Sequence, residues 1–277
     1  MPRKNPFVAG GLSLVLPGAG QVYNRQIRKA LIGYAFFFLF PIVFVLCNCL
    51  HSFWGLVLLI FLCIWLYLYN VGDAILGAVR FKTNESRPLN KFLIMMLVIF
   101  IAADVIIIAG YPSKNIIGLR ALRLITDSMA PTLQAGDSFI LDLNYYKNNK
   151  IQRGDLIVFE RALYKGPLCK RVIGLPSDKI EGTGDEVLVN GEAIHESYTQ
   201  HIGRNARLDD FNQKHQLSDF GSITVPDGQL FVMGDNRDNS YDSRDPDFGF
   251  VPVQSVWAKP LYIYFSTSRS RIGKTIK

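Results

Sequence analysis

The feature that most constrains this chain is a run of 43 consecutive residues, 30–72, without Asp, Glu, Lys or Arg. A helix needs about 20 apolar residues to cross a bilayer core of about 30 Å, so the run has room for two spans but not for three. Two spans need a turn between them, and the polar cluster at 48–52 is the place for it. We therefore predict membrane helices at about 30–47 and 53–72, which excludes a wholly soluble enzyme.

A third apolar stretch, 92–111, is interrupted by Asp104 and ends before Pro112. Short cytoplasmic loops are enriched in Lys and Arg, and such residues precede the first span and separate the second from the third, whereas the turn at 48–52 has none. These basic residues are Arg25, Arg28, Lys29, Arg80, Lys82, Arg87 and Lys91. The pattern predicts a multi-pass protein of the cytoplasmic membrane, with its N-terminus inside and everything after residue 112 outside.

Segment 7–23 is apolar but short and rich in Gly, and we interpret it as interfacial or re-entrant. A fourth span and a cleavable signal peptide are the alternatives; the lack of an A-x-A site before Arg25 counts against the signal peptide. The pattern at 17–31 resembles a small two-helix membrane module found fused to varied partners, which implies no chemistry. We interpret Asp104 as a carboxyl that is protonated or faces the other helices, rather than as part of a relay.

The basic excess of the chain belongs to its apolar half. The net charge is +7, and residues 1–110 carry 9 Lys and Arg against 3 Asp and Glu, which leaves 21 against 20 in residues 111–277. Nucleic-acid binding needs basic residues concentrated on a folded polar domain, so that class is excluded. The counts of 23 Gly and 13 Pro exclude a collagen-like or disordered chain. Four cysteines, three of them in the apolar half, provide no disulfide framework.

Residues 112–277 contain short β-branched and aromatic runs bounded by Gly, Pro, Asn and Asp, which predict a mainly β domain. Segment 205–216 is ambiguous between helix and strand. The predicted strands are 138–143, 156–160, 170–175, 186–189, 230–233 and 256–265.

No pattern in this half matches a nucleotide or metal site. Gly182 and Gly184 lack P-loop or Rossmann spacing and predict a turn. The acidic loop 235–242 lacks the Gly and terminal Glu of an EF-hand loop. His195 and His201 lack HExxH spacing and are interpreted as surface residues. We expect no metal, no nucleotide and no other cofactor.

Four segments carry the chemistry: TDSMAPTL at 126–133, RGDLIVF at 153–159, KRVIGLPSD at 170–178 and GDNRDNSYDSR at 234–244. In this order they resemble the sequence boxes of bacterial type I signal peptidases. The resemblance covers about residues 125–266 and implies a serine endopeptidase with a Ser/Lys dyad, which removes signal peptides from exported preproteins at the membrane surface. It also implies an antiparallel-sheet catalytic domain at 112–277, here preceded by a membrane domain of about three transmembrane helices at 1–111.

The resemblance makes Ser128 the nucleophile and Lys170 its general base. A serine hydroxyl needs an adjacent base, and the sequence has neither G-x-S-x-G nor a His triad motif. A lysine is a base only when its amine is neutral; the pKa of a free lysine is about 10.4, and burial in an apolar pocket lowers it. Side chains alternate along a strand, so we expect Arg171 to face away from Lys170 as a solvated or ion-paired residue of the outer face.

The supporting residues also follow from the resemblance. Thr126 matches the hydroxyl that would hold the tetrahedral oxyanion together with the Ser128 N–H, and residues i and i+2 of an extended segment share a face. Ser240 matches the hydroxyl that orients the lysine amine. Asp242 and Arg244 match an ion pair that supports the loop; a surface pair of little energetic value is the alternative.

Other segments depart from the family pattern or lie beyond it. Asp127 replaces a small residue, and Ser177 replaces a turn Gly, which Ser tolerates. Residues 235–237 are expected to hold the shape of the loop. Region 195–223 has no recognisable motif and is interpreted as an insertion, and the basic tail 267–277 is predicted to be disordered and to contact anionic headgroups.

The expected partners are exported preproteins, with the signal peptide as substrate, and membrane lipid. Two alternatives remain: a dedicated processing peptidase of the same chemistry, which cuts one exported protein or its own chain, and a catalytically inactive membrane scaffold. Cleavage of a mixed set of preproteins in trans separates the general enzyme from the dedicated one. The joint presence of the four hydroxyl and amine side chains at positions 126, 128, 170 and 240 counts against the scaffold.

Overall fold

The computed structural model describes residues 4–80, 98, 118–161, 166–184, 186–201 and 219–277. The chain forms two compact units, Met1–Ile117 and Gly118–Lys277. The predicted third span at 92–111, apart from Val98, lies outside the described residues, and so do Asp104 and the ambiguous segment 205–216.

The described part of the first unit contains four helices: α1 (Pro6–Val15), α2 (Ala19–Tyr23), α3 (Ile27–Leu46) and α4 (Phe53–Arg80). Within these residues, α3 and α4 are long and apolar enough to cross a membrane. They lie where the uncharged run predicts them, on either side of a single 3₁₀ turn, and α4 continues past residue 72. The described residues therefore contain candidates for the first two predicted spans, and the third lies outside them.

Small residues let these helices approach one another closely. Ala9 of α1 and Ala74 and Ala78 of α4 form a buried cluster. A Cβ atom on Gly20 of α2 would lie 2.1 Å from the carbonyl oxygen of Ala9, so a side chain at this position would collide with α1. Contacts through small residues are typical of helix packing in membranes, where backbones approach without bulky side chains between them.

The second unit contains eleven described strands and a one-turn helix, α5 (Tyr145–Asn148). The strands are β1 (Leu119–Arg123), β2 (Ser138–Asp142), β3 (Leu156–Phe159), β4 (Leu168–Gly174), β5 (Lys179–Thr183), β6 (Glu186–Val189), β7 (Glu192–Ala193), β8 (Phe220–Thr224), β9 (Gln229–Met233), β10 (Val251–Pro252) and β11 (Val256–Phe265). A seven-stranded sheet has the order β1-β2-β11-β3-β4-β9-β10, and a four-stranded sheet has the order β7-β6-β5-β8. Neighbouring strands pair antiparallel throughout, so the predicted mainly β, antiparallel class is confirmed.

The six predicted strands correspond to β2, β3, β4, β6, β9 and β11. The central strand β3 is buried on both faces: Leu156 and Val158 belong to one hydrophobic cluster, whereas Ile157 and Phe159 belong to another. A strand buried on both faces forms a continuous apolar run, which is why the sequence predicts it well. β1 and β8 escape the sequence pattern because their side chains are mostly exposed or half-buried.

Region 195–223, which the sequence analysis interprets as an insertion, contributes to the fold at its C-terminal end. Phe220 begins strand β8, and its ring stacks on that of Phe231 in β9 with 5.7 Å between the centroids. Ile223 packs in the same hydrophobic cluster. This end of the region is therefore part of the small sheet and its core.

The prediction of a disordered tail at 267–277 is also wrong. Arg271 is buried, and its guanidinium donates to Asp137 Oδ2 at 2.6 and 3.0 Å and to the carbonyl oxygens of residues 131 and 132. Ile276 is buried in the main hydrophobic cluster. An ion pair and an apolar contact therefore fix the tail on the β domain, against the segment that follows Ser128.

Candidate active site

Lys170 lies in the interior strand β4, opposite Ile157 of β3, and only 4 % of it is exposed. Its Nζ donates a hydrogen bond of 2.8 Å to Ser240 Oγ. Burial lowers the pKa of Lys170 from 10.5 to about 8. The nearby Asp242 carboxylate opposes this shift by favouring the ammonium, and burial outweighs it. The amine therefore becomes neutral within a mildly alkaline range.

Ser128 lies in the turn between β1 and β2, and its hydroxyl oxygen is 3.4 Å from that of Thr126. The two side chains thus share a face, as predicted for positions i and i+2. Thr126 is exposed and Ser128 is half-buried. Among the described residues, the Ser128 backbone N–H has no hydrogen-bond acceptor. The N–H and the Thr126 hydroxyl are therefore both available to an incoming oxygen atom.

Gly234 connects the two halves of the site. A Cβ atom there would lie 2.2 Å from Ser240 Oγ and 2.4 Å from the Ser128 carbonyl oxygen. Both oxygen atoms therefore occupy the space that a side chain at position 234 would need. The amide of Asn236 donates to the same Ser128 carbonyl at 3.1 Å. The loop after β9 therefore brings the Ser128 turn next to Ser240, which in turn contacts Lys170. Within the described residues the Lys170 amine donates to Ser240 and not to Ser128.

Asp242 and Arg244 form a buried pair, not a surface one. Arg244 donates from Nε to Asp242 Oδ1 at 2.8 Å and from Nη2 to Oδ2 at 3.0 Å, and Asp242 also accepts the Gly234 amide at 2.9 Å. Burial acts to raise the pKa of Asp242, but the attraction and hydrogen bonds of Arg244 leave that pKa below its usual value. Arg244 Nη2 also donates to the carbonyl of Arg237. The pair thus holds the loop that carries Ser240.

Arg171 points away from Lys170 and is ion-paired, which is one of the two predicted alternatives, but its placement on an outer face is wrong. Arg171 is 2 % exposed because β4 is covered on both faces. Its Nε and Nη2 donate to the fully buried Asp235 carboxylate at 2.8 and 2.7 Å, and its guanidinium lies 3.8 Å from the ring centroid of Tyr198. Thr132, in the segment after Ser128, also donates to Asp235. This pair anchors the loop at 234–244 to the strand that carries Lys170.

Sequence reasoning missed Glu196, which lies within the predicted insertion. Its carboxylate accepts hydrogen bonds of 2.6 and 2.5 Å from Arg237, and both side chains are buried. Gln200 adds a second contact, since its backbone N–H donates to the Asp235 carbonyl. Residues 235–237 therefore have the predicted structural role, with partners that no sequence motif reveals.

Of the two departures from the family pattern, Asp127 is accommodated by a local hydrogen bond, whereas Ser177 takes a backbone conformation that favours glycine. Asp127 Oδ1 accepts the Ala135 amide at 2.8 Å, which closes the loop after the Ser128 turn. Ser177 has a φ of 72°, in the left-handed region that favours glycine. His195 is exposed, and no group of three His, Cys, Asp or Glu in the described part of the chain is arranged to hold a metal ion.

Comparison with known proteins gives the class to which this fold belongs: a serine endopeptidase, a hydrolase of peptide bonds. The sequence profile of the family described as "Signal peptidase, peptidase S26" matches residues 90–265. The chain belongs to this signal peptidase family, and the predicted resemblance is confirmed. Removal of signal peptides from secreted preproteins is the activity that membership of the family supports.

Several characterised proteins are similar to this chain. Signal peptidase I S of Bacillus subtilis (strain 168) is 38% identical over 147 residues, which are 52% of this chain and 76% of that protein. Signal peptidase I of Bacillus caldolyticus is 39% identical over 142 residues, 50% of this chain and 75% of that protein. The crystal structure of a signal peptidase I from Enterococcus faecalis V583 matches with 34% identity and a TM-score of 0.32, over 40% of this chain and 97% of that one.

Proposed function

We propose that the protein is a membrane-anchored signal peptidase in which Ser128 is the nucleophile and Lys170 the general base. The observation that carries the proposal is the buried Lys170 amine, which has a lowered pKa and is held by Ser240 beside the Ser128 turn. A buried lysine without an adjacent carboxylate at contact distance is costly to keep charged, and such lysines serve as bases.

The proposed reaction has two steps. Ser128 Oγ attacks the scissile carbonyl while Lys170 Nζ takes the hydroxyl proton, and the resulting ammonium returns that proton to the leaving amine. The Ser128 N–H and the Thr126 hydroxyl donate to the oxyanion, and Ser240 keeps the amine oriented. Water, deprotonated by the same amine, then hydrolyses the acyl-enzyme and restores Ser128.

The proposed location follows from the charge pattern of the first unit. If α3 and α4 cross the membrane, the basic residues at 25–29 and Arg80 place the N-terminal end of α3 and the C-terminal end of α4 in the cytoplasm. The turn at 48–52 then lies on the opposite side of the membrane. A third span at 92–111 would then deliver the β domain to the outside. We propose that the substrate binds there as an added strand along β1, an edge strand of the seven-stranded sheet that leads directly to Thr126 and Ser128.

The proposal is tested with the detergent-solubilised full chain and a panel of labelled preproteins from unrelated secreted proteins. We expect one cut in each preprotein, after its signal peptide, and none in the mature proteins. Cleavage of one panel member alone would favour the dedicated processing peptidase. Absence of cleavage across the panel, in a protein with a cooperative thermal unfolding transition, would favour the inactive scaffold.

Replacing Thr126 with valine should lower kcat about 10²–10³-fold, because one oxyanion donor is lost while the shape of the side chain is kept. The KM should change little, and Thr126→Ser should restore most of the rate. Thr224→Val, at an exposed position in β8, is the matched control. Initial rates on one preprotein measure the effect, and an unchanged kcat in Thr126→Val would remove this residue from the oxyanion site.

The rate should rise with pH through about 8, the pKa of Lys170. Below that pH the amine is protonated and cannot accept the Ser128 proton, so kcat/KM should fall about tenfold for each pH unit. The profile is measured with a synthetic signal-peptide substrate between pH 6 and 10. A rate that is already constant from pH 6 upward would mean that a different group is the base.

A further inference from the structure

A cavity of about 350 Å³ lies between α3 and α4 in the first unit, with Gln21 of α2 in its lining. Most of the lining is apolar or aromatic, and polar side chains are gathered at one end: Gln21, Lys29, Asn70 and Asp73. We propose that this cavity binds one zwitterionic phospholipid with an amine headgroup, its phosphate at Lys29, its amine at Asp73 and its acyl chain along the apolar wall. The inference rests on the proposed membrane anchoring, and it is independent of the peptidase site.

The polar end is built before any ligand binds. Gln21 is 1 % exposed; its Nε2 donates to the Asn70 carbonyl at 2.7 Å and to Asp73 Oδ2 at 3.4 Å, and its Oε1 accepts from Ser13 at 3.1 Å. These bonds fix the orientation of one carboxylate oxygen of Asp73. A preorganised site loses less entropy on binding than a flexible one.

A glycine sets the depth of the cavity. A Cβ atom on Gly33 of α3 would lie 2.4 Å from Asn70 Oδ1 of α4, so a larger residue there would push the helices apart or fill the space. The apolar wall next to it contains Phe36 and Trp65, both more than half exposed. Such a wall suits an acyl chain, whose contacts are non-directional.

The charges at the polar end select the headgroup. Asp73 is the single acidic residue among residues 1–80, which contain six basic ones. Lys29 Nζ is 2.8 Å from Asp73 Oδ1, and the Lys29 side chain remains 50% exposed. An ammonium has three N–H donors and a carboxylate accepts several hydrogen bonds, so both groups can take a further partner. An anionic headgroup would meet repulsion from Asp73, whereas an amine and a phosphate together match both charges.

Tyr69, one helical turn from Asp73, fits the same location. The rings of Trp65 and Tyr69 stack with 5.8 Å between centroids and 22° between planes. Trp and Tyr are enriched at the membrane interface, at the level of lipid headgroups. Lys29 and Asp73 lie at the end of α3 and α4 where the basic residues cluster, so the charged end of the cavity also falls at the interface.

The test uses the full chain in nanodiscs that contain equal amounts of phosphatidylethanolamine and phosphatidylglycerol, followed by native mass spectrometry of the lipids that stay bound. The parent should retain one phosphatidylethanolamine, with about a tenfold preference over phosphatidylglycerol. A preference of this size is the effect of one charge-assisted contact. Asp73→Asn should abolish the preference, and Ile32→Trp, which fills the cavity and leaves both charges, should abolish retention. Arg28→Gln, which removes the neighbouring charge outside the cavity, should behave as the parent.

Retention of phosphatidylglycerol in preference, of no lipid, or of the same lipid by Ile32→Trp would overturn the proposal. Thermal unfolding of each variant shows whether it is folded. If Asp73→Asn does not fold, Ile32→Trp still decides the test. Preprotein cleavage in detergent is measured on the same samples. Cleavage without lipid retention contradicts the lipid site alone, and lipid retention without cleavage contradicts the peptidase proposal alone.

Discussion

Replacement of Lys170 with methionine is expected to lower kcat for preprotein cleavage about 10⁴-fold or more, and Ser128→Ala should have an effect of similar size. The proposed reaction has one amine to remove the serine proton, and the buried Lys170 is that group. Methionine fills the space of the lysine stem and places no charge in the interior, so the β domain should remain folded. The loss would then reflect chemistry rather than unfolding.

The double variant Ser128→Ala/Lys170→Met should be no slower than either single variant, because residues that act as one unit are not additive. Lys179→Met is the control: this lysine belongs to β5, the next strand along the chain, but its side chain is 58% exposed. Single-turnover rates and circular dichroism spectra are measured for all four variants. If the rate losses of the single variants multiplied in the double variant, or if either single variant kept full activity, Ser128 and Lys170 would not act as one catalytic unit.

Replacing Arg171 with methionine should lower the free energy of unfolding of the β domain by about 3–5 kcal/mol, because it leaves the Asp235 carboxylate buried without its partner. The two side chains are 3 % and 0 % exposed, so water cannot replace the guanidinium. The loop at 234–244 should also lose its anchor on β4, and kcat should fall with stability. Urea unfolding followed by tryptophan fluorescence measures the first effect.

The variant Arg171→Met/Asp235→Leu should recover most of the lost stability, since replacing both members of a buried pair with apolar residues is often neutral. Arg153→Met should cost no more than about 1 kcal/mol, because the Arg153 pair with Asp178 is partly exposed. If Arg171→Met were as mild as Arg153→Met, the buried pair would not anchor the loop.

The sequence predicts those parts of the fold that depend on continuous apolar patterns. The uncharged run predicts α3 and α4, and buried strands such as β3 stand out because both of their faces need apolar residues. The prediction for Arg171 shows the limit of such patterns. Alternation gives its direction correctly, but it does not reveal that Asp235, in the loop after β9, and Tyr198 cover the Arg171 side chain on that face.

The candidate site also depends on pairs that are distant in the sequence. Arg271 and Asp137 are 134 residues apart, and Glu196 and Arg237 are 41 apart. Each of these charged residues lies in a segment whose composition is typical of an exposed loop or tail. Local patterns therefore predict solvated side chains where the structure buries them. The sequence boxes single out the segments of Ser128, Lys170 and Ser240, but the pairs that hold these segments together become visible only in three dimensions.

The burial of the loop charges has a consequence for the conditions in which the site can work. Dissolved ions screen exposed charges over about 10 Å at 0.1 M salt, and they screen buried pairs much less. Because Asp235, Asp242 and Arg244 are nearly inaccessible, the geometry around Lys170 should hold when ionic strength changes. We expect kcat to vary less than about twofold between dilute buffer and 1 M sodium chloride. A site assembled in this way is suited to surroundings whose salinity the cell does not control.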